Sequence, residues 1–481
     1  MKTFQILINT EFWLKNSAVY YAIFFSLGIA DYLSFHPLYA LPPLFFTFLL
    51  FSPEYRTLFF FRLLAGLLLM ATAYFYTLLL SPPLVEKGYF EGVFSIHSVA
   101  PYTTSFKKGW IYKGRLEGLP CSVTFFGPQQ KRYPADHHYF LQGTLSSTGN
   151  YYRLKPTAPW IPLTKTYGIA EKRFLIKEKV RKFFTKHLTH PELLSTLITG
   201  DTVSRKLSFD FARLGLNHLL AISGFHFTFL TTFLAALLRP FLPRKALLWT
   251  LLIATNLYLF FLGATPSIQR AWIIIQLFFI GKLLGRRSFH FQLLGIAMLI
   301  EMVLSPYVVI NIGFQLSFLS CFGILFFYYP ISRFLHFFFK KRPYYETKKF
   351  SLLEKHIYLL GSFFKESFAL ILSVNVTLLP LLFFHFHKFP CLSLFYNLFI
   401  PLFTSLIMTL TLLASLFPFL FAFIDYANSY LLALICYPIH LLDFSLYAQP
   451  SFTFLLLYFF LLFPFGIWLS KHLFDKKAPL L

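Results

Sequence analysis

The chain has 481 residues, of which 57% are hydrophobic, 21% aromatic and only 13% charged. This composition excludes a string of ordinary soluble domains and indicates a membrane protein that crosses the bilayer many times. Lys and Arg outnumber Asp and Glu by 43 to 19, which gives a net charge of +24. Such a charge suits an anionic partner, either nucleic acid or a lipid surface, and charge alone does not distinguish the two.

About 12 hydrophobic runs approach the length of about 20 residues that a membrane-spanning helix needs. Three precede the first polar region, at residues 18–36, 37–51 and 58–80. Nine follow it, at residues 214–238, 246–263, 268–284, 291–304, 309–328, 368–384, 392–424, 430–447 and 452–470. The run at 392–424 is long enough to break near Pro401 or Pro418. No signal peptide is recognisable in the first 16 residues, so we expect the first run to remain as an anchor.

Residues 81–175 have a different character, because no spanning run occurs there. Five β-rich stretches alternate with turn residues, at 89–99, 110–118, 121–126, 137–147 and 151–157. Five short strands in this length predict a small β-barrel, which we expect to be OB-like. A basic amphipathic stretch at 171–190 follows, and we expect it to lie on the membrane surface.

The basic loops predict how the chain is oriented. Five Lys- and Arg-rich turns, at 56–62, 239–245, 282–287, 333–365 and 471–477, fall on one side of the 12-span arrangement. Because Lys and Arg concentrate on the cytoplasmic side, both termini are predicted to be cytoplasmic and the barrel extracytoplasmic. The fold class is thus a polytopic α-helical membrane protein with a small β-barrel after the third helix.

The same pattern gives the expected domain boundaries. They are an N-terminal membrane anchor (1–80), an OB-like β domain (81–175), an amphipathic or re-entrant connection (176–212), a membrane core (213–471) and a cytoplasmic tail (472–481).

The most unusual polar cluster comprises Asn217, His218, Ser223, Gly224 and His226 within an apolar run. Polar groups at membrane depth are costly and usually face a bundle interior or an aqueous path. On a continuous helix the two histidines lie on roughly one face. A break at Ser223-Gly224 would instead expose backbone groups to a water-filled cavity. The alternative is that the histidines only hydrogen-bond neighbouring helices.

Two further polar clusters occur in later spans: Pro266, Ser267 and Arg270 in one, and Asn311, Gln315 and Ser317 in the other. Arg270 enters its helix deeply enough to need a partner or water, unless its side chain extends to the interface. The small and polar residues of the other cluster suit close helix packing as well as a pore lining.

No hydrolytic machinery is recognisable, so we expect no enzyme, cofactor or metal. The sequence lacks HExxH, a P-loop and GxSxG. The HxH at residues 385–387 is followed by Phe389-Pro390 where a metallo-β-lactamase motif requires Asp-His. The four cysteines, Cys121, Cys321, Cys391 and Cys436, are far apart and form no CxxC pair.

Four blocks, in order, resemble the ComEC family of competence proteins. They are LITGD at 197–201; Gly215, His218 and residues 219–226 in a Gly-x-x-His-Leu-Leu-Ala-Ile-Ser-Gly-x-His pattern, here called the hallmark block; Pro266-Ser267-x-x-Arg270-Ala271; and GFQLSF at 313–318. The resemblance implies that residues 213–471 form a channel core in the bacterial inner membrane, which carries single-stranded DNA inward during natural transformation.

The resemblance also implies partners. These are single-stranded DNA, membrane lipids, an extracytoplasmic DNA receptor, and a cytoplasmic helicase or single-strand-binding proteins that supply the force. Many family members carry a C-terminal metallo-β-lactamase-like domain, and this chain ends about ten residues after its last span, so a separate nuclease is a possible further partner.

Candidate DNA-binding residues on the barrel are Lys107, Lys108, Trp110, Tyr112, Lys113 and Arg115, with Tyr89 and Tyr139 as further stacking aromatics. Two other functions stay open. One is a small-solute transporter or channel that uses the polar groups at broken helices, although no inverted repeat is visible. The other is a membrane scaffold that transports nothing.

Overall fold

The computed structural model describes residues 17–34, 56–81, 88–103, 108–126, 132–148, 151–201, 204–220, 222, 224–263, 266–286, 290–338, 350–414, 418–436 and 444–474. These residues form two compact units. The first unit comprises the described residues within Met1–Leu80, Leu277–Leu398 and Phe444–Leu481, and the second comprises those within Ser81–Gln276 and Phe399–Asp443.

Helices dominate both units. In chain order they are α1 (Ser17–Ser34), α2 (Arg56–Leu80), α3 (Ile169–His187), α4 (Pro191–Thr199), α5 (Arg205–Arg213), α6 (Asn217–Leu220), α7 (Gly224–Leu238), α8 (Arg244–Leu262), α9 (Pro266–Leu283), α10 (His290–Leu304), α11 (Ile312–Phe338), α12 (Leu352–Phe386), α13 (Leu392–Ala414), α14 (Phe421–Cys436) and α15 (Phe452–Phe474). Short 3₁₀ turns at Pro306–Ile310 and Pro418–Leu420 precede α11 and α14.

Several of these helices have the length and composition of membrane spans. Within the described residues, five qualify: Phe60–Leu80, Arg244–Leu262, Ile312–His336, Leu352–Phe386 and Leu392–Ala414. Shorter apolar helices are α1, α7, α10, α14 and the first part of α15, Phe452–Leu462. The prediction of a mostly helical protein with several apolar helices is therefore confirmed. The predicted span at 37–51 lies outside the described residues.

Some span boundaries were wrong. Helix α12 begins well before residue 368, because a capping box between Ser351 and Glu354 starts it in a polar segment. The run at 392–424 is interrupted at the 3₁₀ turn that Pro418 begins, whereas Pro401 lies inside α13. The bounds of the predicted span at 430–447 were also wrong. Helix α14 begins earlier, at Phe421, and ends at Cys436, and the last residues of the predicted span, Ser445–Tyr447, form a short strand.

The β-rich region folds as predicted into a five-stranded barrel. Its strands are β1 (Gly88–Thr103), β2 (Lys108–Leu116), β3 (Leu119–Phe126), β4 (His137–Thr148) and β5 (Tyr151–Pro156). Strand β1 pairs antiparallel with both β2 and β4, β3 pairs parallel with β5, and β5 pairs antiparallel with β4, which closes the barrel. An irregularity in β1 between Ile96 and Ser98 accompanies the curvature of this long strand.

The sequence did not predict a sixth strand, β6 (Ile161–Lys165), which extends the sheet beside β4. All five of its residues are exposed, so it lacks the alternation of buried and exposed positions that identifies a strand. Two more short strands, β7 (Lys388–Pro390) and β8 (Ser445–Tyr447), pair antiparallel in the first unit.

Trp160 organises the barrel core. Its ring stacks on Tyr133 with centroids 4.5 Å apart and meets the rings of Phe94, Tyr112 and Tyr139 edge-on. Aromatic rings in these arrangements bury a large apolar area and gain further energy from ring geometry. The inward residues of the strands thus pack around one side chain contributed by the segment between β5 and β6.

Replacing Trp160 with Ala is expected to destabilise the barrel by about 3–5 kcal/mol, the usual cost of removing a buried Trp or Phe. Thermal unfolding of the detergent-purified chain would show an earlier transition. Tyr89, which is 65% exposed on β1, supplies the control, because Tyr89→Ala removes an aromatic ring without opening a cavity. Equal effects of the two substitutions would contradict the described core.

Candidate functional site

The hallmark block does not form one helix. Helix α6 ends at Leu220 and α7 begins at Gly224, and Ile222 lies between them in a non-helical and buried position. Ser223 lies outside the described residues. The helix is thus interrupted between Leu220 and Gly224, and the alternative of a continuous helix is wrong. Consequently the two histidines occupy different environments, with His218 exposed and His226 fully buried.

His226 contacts a helix far along the chain. Its Nε2 lies 3.3 Å from Oγ1 of Thr404 in α13. The Thr404 hydroxyl donates to the carbonyl of Ile400 at 2.9 Å, so its oxygen is left to accept the Nε2–H of His226. His218 makes a local contact instead, with Nδ1 3.1 Å from the carbonyl of Gly215. Asn217 is exposed, 3.4 Å from the Ser208 hydroxyl.

Three of the four sequence blocks meet at Gly200. This residue ends α4 in a left-handed conformation with φ +74°. A Cβ placed on it would lie 3.3 Å from Ile222 of the hallmark block, 3.7 Å from Leu262 and 3.9 Å from Ile268 of the Pro-Ser-x-x-Arg-Ala block. The glycine therefore permits both the backbone turn and the close approach of these blocks.

Asp201, the next residue, is the centre of a buried ion-pair cluster. Lys177 donates from Nζ to both carboxylate oxygens at 3.1 Å, and Arg181 donates from Nη2 to Oδ2 at 2.5 Å. Both cations are less than a tenth exposed. One carboxylate thus serves two buried positive charges, which we call the Asp201 cluster.

The Asp201 cluster also holds the end of α8. Lys177 donates to the carbonyl of Leu262 at 2.8 Å, and Arg173, one turn earlier on α3, donates to that of Phe260 at 2.7 Å. Cations suit this position because the last carbonyls of a helix lack helical partners and carry negative partial charge. Burial lowers the pKa of Lys177, and Asp201 opposes that effect. One face of this basic stretch therefore packs inside the protein, and its location at the membrane surface stays a prediction.

Helix α9 brings the Pro-Ser-x-x-Arg-Ala block beside the hallmark block. Pro266 begins the helix, Ser267 is half-buried, and Arg270 is only 4% exposed, so the guanidinium does not extend to the surface. A Cβ on Gly224 would lie 3.7 Å from the Cβ of Ala271. The second unit thus gathers His226, Gly224 and the start of α9 with the Asp201 cluster.

The GFQLSF block lies in the first unit, where its polar groups organise the start of α11. Asn311 Oδ1 accepts the backbone N–H groups of Gly313 at 2.8 Å and Phe314 at 3.3 Å, as an N-capping residue does. Gln315 donates to the carbonyl of Val309 at 2.9 Å, and its Oε1 lies 3.2 Å from Nε2 of His385. His385 was not predicted as a site residue, because in the sequence it appears only as part of the incomplete HxH metal motif.

Ser317 is half-buried, and its backbone carbonyl accepts a hydrogen bond from the Ser320 hydroxyl at 2.8 Å. This local bond suits helix packing as well as a polar lining, so it leaves both alternatives in place.

The aromatic candidates of the barrel are mostly part of its core. Tyr112 is fully buried and accepts the backbone N–H of Tyr133 at 3.0 Å, and Tyr139 is also buried. Burial raises the pKa of both phenols. Neither ring is available to stack on a base, so these two assignments were wrong. Trp110 is half-buried, with its ring edge-on to Phe174 at 5.5 Å.

Two basic candidates of β2, Lys113 and Arg115, face outward. Lys113 and Arg115 are exposed, Lys108 begins the strand, and Lys107 lies outside the described residues. Their exposure follows from the period of two along a strand, which places them opposite buried Tyr112.

The register extends this positive surface across the barrel. Ser122 of β3 is opposite Lys113 on one side and Arg153 of β5 on the other, so the two cations flank one serine. Lys155 follows two residues after Arg153 and is also exposed. Lys113, Arg115, Arg153 and Lys155 form what we call the outer basic face. Arg153 and Lys155 of β5 were not predicted, because the order of strands in a barrel cannot be read from the local sequence pattern.

Comparison with known proteins identifies a family for the helical part of the chain. A family model described as Competence protein matches residues 197–472. ComE operon protein 3 of Bacillus subtilis is 30% identical over 148 residues, which cover 30% of this chain and 19% of that protein. The uncharacterized protein MG316 homolog of Mycoplasma pneumoniae is 33% identical over 136 residues, covering 27% of this chain and 34% of the relative.

A further relative, the uncharacterized protein MG316 of Mycoplasma genitalium, is 30% identical over 137 residues, covering 28% of this chain and 35% of the relative. The chain therefore matches between about a fifth and about a third of the length of these three relatives. No solved structure matches it.

Proposed function

The chain belongs to the competence protein (ComEC) family, and on that premise we propose that it is an inner-membrane channel that imports single-stranded DNA. The observation that carries the proposal is the helix interruption between Leu220 and Gly224, inside the matched region. Non-helical backbone at membrane depth is tolerated only where it is buried in protein or lines a water-filled cavity. We place the channel core in residues 213–471, with His226 and Arg270 beside the path.

The barrel is the proposed receiving surface. Its outer basic face offers four cations, Lys113, Arg115, Arg153 and Lys155, on strands β2 and β5, which flank β3 in an OB-like barrel. Phosphate contacts from such a surface bind nucleic acid without sequence preference and with strong salt dependence. Exposed Tyr89 and half-buried Trp110 remain as aromatic candidates for base stacking.

The proposed topology has both termini in the cytoplasm and the barrel outside. Two helices, α13 and α14, separate β7 from β8 in the sequence. Because the two strands pair, they lie on one side of the bilayer, and two crossings between them satisfy that requirement. The basic loops then fall on the cytoplasmic side.

Import needs partners in this proposal. The descriptions of the matched family and relatives name no catalytic activity, and the sequence contains no P-loop, so a cytoplasmic helicase or single-strand-binding proteins supply the pulling force. An extracytoplasmic receptor delivers the DNA, and a separate nuclease removes the strand that is not imported.

Uptake of labelled DNA by a transformable host tests this function. The host's own gene for this family is deleted and replaced with the wild-type chain, His226→Ala, Arg270→Ala or, as control, His290→Ala, which removes an exposed histidine outside the four blocks. We expect the wild type and the control to deliver DNA to the cytoplasm, and the other two variants to accumulate normally yet leave DNA outside. Failure of the wild-type chain to restore uptake would contradict the proposal and favour a small-solute function.

A further inference from the structure

A cavity of about 950 Å³ lies in the first unit between α12 and α15. Its apolar lining includes Leu372, Leu379 and Phe383 of α12 and Phe454 of α15. This volume is at the upper end of the range of about 300–1,000 Å³ that holds drug-sized ligands and cofactors.

Two polar side chains at the cavity wall, Tyr458 and Asn375, have partners within the protein. Pro380 has no N–H, so the carbonyl of Val376 lacks its helical bond, and the Tyr458 hydroxyl donates to that carbonyl at 2.6 Å. The side-chain amide of Asn375 donates to the carbonyl of Ile371 at 2.8 Å. With these groups engaged within the protein, the wall presents mainly hydrocarbon to an occupant.

The cavity lies at the ends of two apolar helices. It adjoins the last turns of α12, which has the length and hydropathy of a membrane span, and the first turns of α15. An apolar cavity does not hold water well, because water there lacks hydrogen-bonding partners. If α12 crosses the bilayer, as its length and hydropathy indicate, the abundant apolar molecules beside it are lipid acyl chains.

One lysine lies close to the rim of the cavity, although it is not a lining residue. The lining residue Ala448 donates its N–H to the carbonyl of His387 at 3.3 Å. The next residue, Lys388, pairs in register with Tyr447 and places its Nζ 5.6 Å from the centre of that ring. None of the described lining residues is acidic. A lysine beside an apolar cavity complements a molecule with a hydrocarbon body and an anionic head.

We propose that this cavity binds a single phospholipid from the bilayer. Its acyl chains lie against Leu379, Phe383 and Phe454, and its phosphate lies near Lys388. The proposal is independent of DNA import, because no residue of the hallmark block or the barrel contributes to the cavity.

Native mass spectrometry of the purified full-length chain tests the site, with phosphatidylglycerol and phosphatidylcholine as probes. We expect one strongly retained lipid and a preference for phosphatidylglycerol. Leu379→Trp fills the cavity and should reduce retention of both lipids by about tenfold or more, a change of about 1.4 kcal/mol. Lys388→Gln should reduce the phosphatidylglycerol preference about fivefold, the factor expected for one lysine near an anionic surface.

Leu457→Trp is the matched control, because Leu457 is exposed on α15 and does not line the cavity. It should retain lipid as the wild type does. Ala448→Phe, at the rim, provides a second filling variant if Leu379→Trp elutes as an aggregate. Equal retention by the wild type and by a folded filling variant would show only non-specific lipid and would overturn the proposal.

Discussion

Replacing Asp201 with Asn is expected to destabilise the second unit by about 3–5 kcal/mol, because it leaves the buried Lys177 ammonium without its carboxylate partner, while Arg181 keeps only Glu178 at 3.2 Å. The change keeps the size of the side chain but removes the charge that serves both Lys177 and Arg181. Burial already disfavours the charged form of Lys177, so its positive charge depends strongly on this carboxylate. For a unit of this size the thermal midpoint should fall by roughly 6–20 °C.

Glu192→Gln is the matched control for that measurement. Glu192 is an exposed acid in the first turn of α4, so its neutralisation should cost only about 0.3–1 kcal/mol through the helix dipole. Both variants are compared by thermal unfolding of the detergent-purified chain. If Asp201→Asn unfolds at the same temperature as Glu192→Gln, the Asp201 cluster does not hold α3, α4 and α8 together as described.

The second large effect concerns the outer basic face. Replacing Lys113, Arg115 and Arg153 together with Gln should lower the salt-dependence slope of single-stranded DNA binding by about 2, because each phosphate contact contributes about 0.7. The same counterion argument gives a loss in affinity of roughly 50-fold at physiological salt. Binding of a labelled oligonucleotide to the full-length chain, measured across a salt series, reports both quantities.

A variant with the same loss of charge separates a specific surface from the general field of the protein. Lys172, Lys179 and Lys182 are exposed on α3 and lie outside the outer basic face, so their replacement with Gln removes three positive charges elsewhere. We expect its slope to remain close to that of the wild type. Equal losses in the two triple variants would mean that net charge, and not the barrel surface, binds DNA.

Local pattern predicted much of the fold. The five barrel strands were located to within a few residues, because alternating apolar residues and turn residues bound each of them. The Ser223-Gly224 pair had raised the possibility of a helix break, and the structure describes an interruption between Leu220 and Gly224. The opposite exposure of His218 and His226 was not predictable, because it depends on α13, which lies far along the chain.

The errors at the barrel have a simple physical origin. Tyr112 and Lys113 are adjacent in one strand, so their side chains point to opposite faces and cannot both reach the same DNA strand. The alternation of inward and outward positions along β2 could be read from the sequence. Tyr112 and Lys113 were nevertheless both assigned to DNA binding, because each has a suitable side chain. Arg153 was missed because its position beside β3 depends on the parallel pairing of β5.

The Asp201 cluster shows what sequence blocks can and cannot indicate. The block LITGD was recognised by resemblance, but its role was not assigned. Lys177 and Arg181 lie four residues apart on α3 and therefore share a helix face, which was a readable signal for a shared acidic partner. Their bonds to Asp201 and the bond from Lys177 to Leu262 are long-range contacts, which local pattern does not contain.

The most direct test of DNA import uses the purified chain in lipid vesicles that contain single-strand-binding protein. Labelled oligonucleotide is added outside, and the fraction protected from external nuclease is measured over time. The account predicts that single-stranded DNA becomes protected only when the chain is present, that duplex DNA does not, and that His226→Ala reduces protection. Equal protection in empty vesicles, or passage of small solutes without any passage of single-stranded DNA, would contradict it.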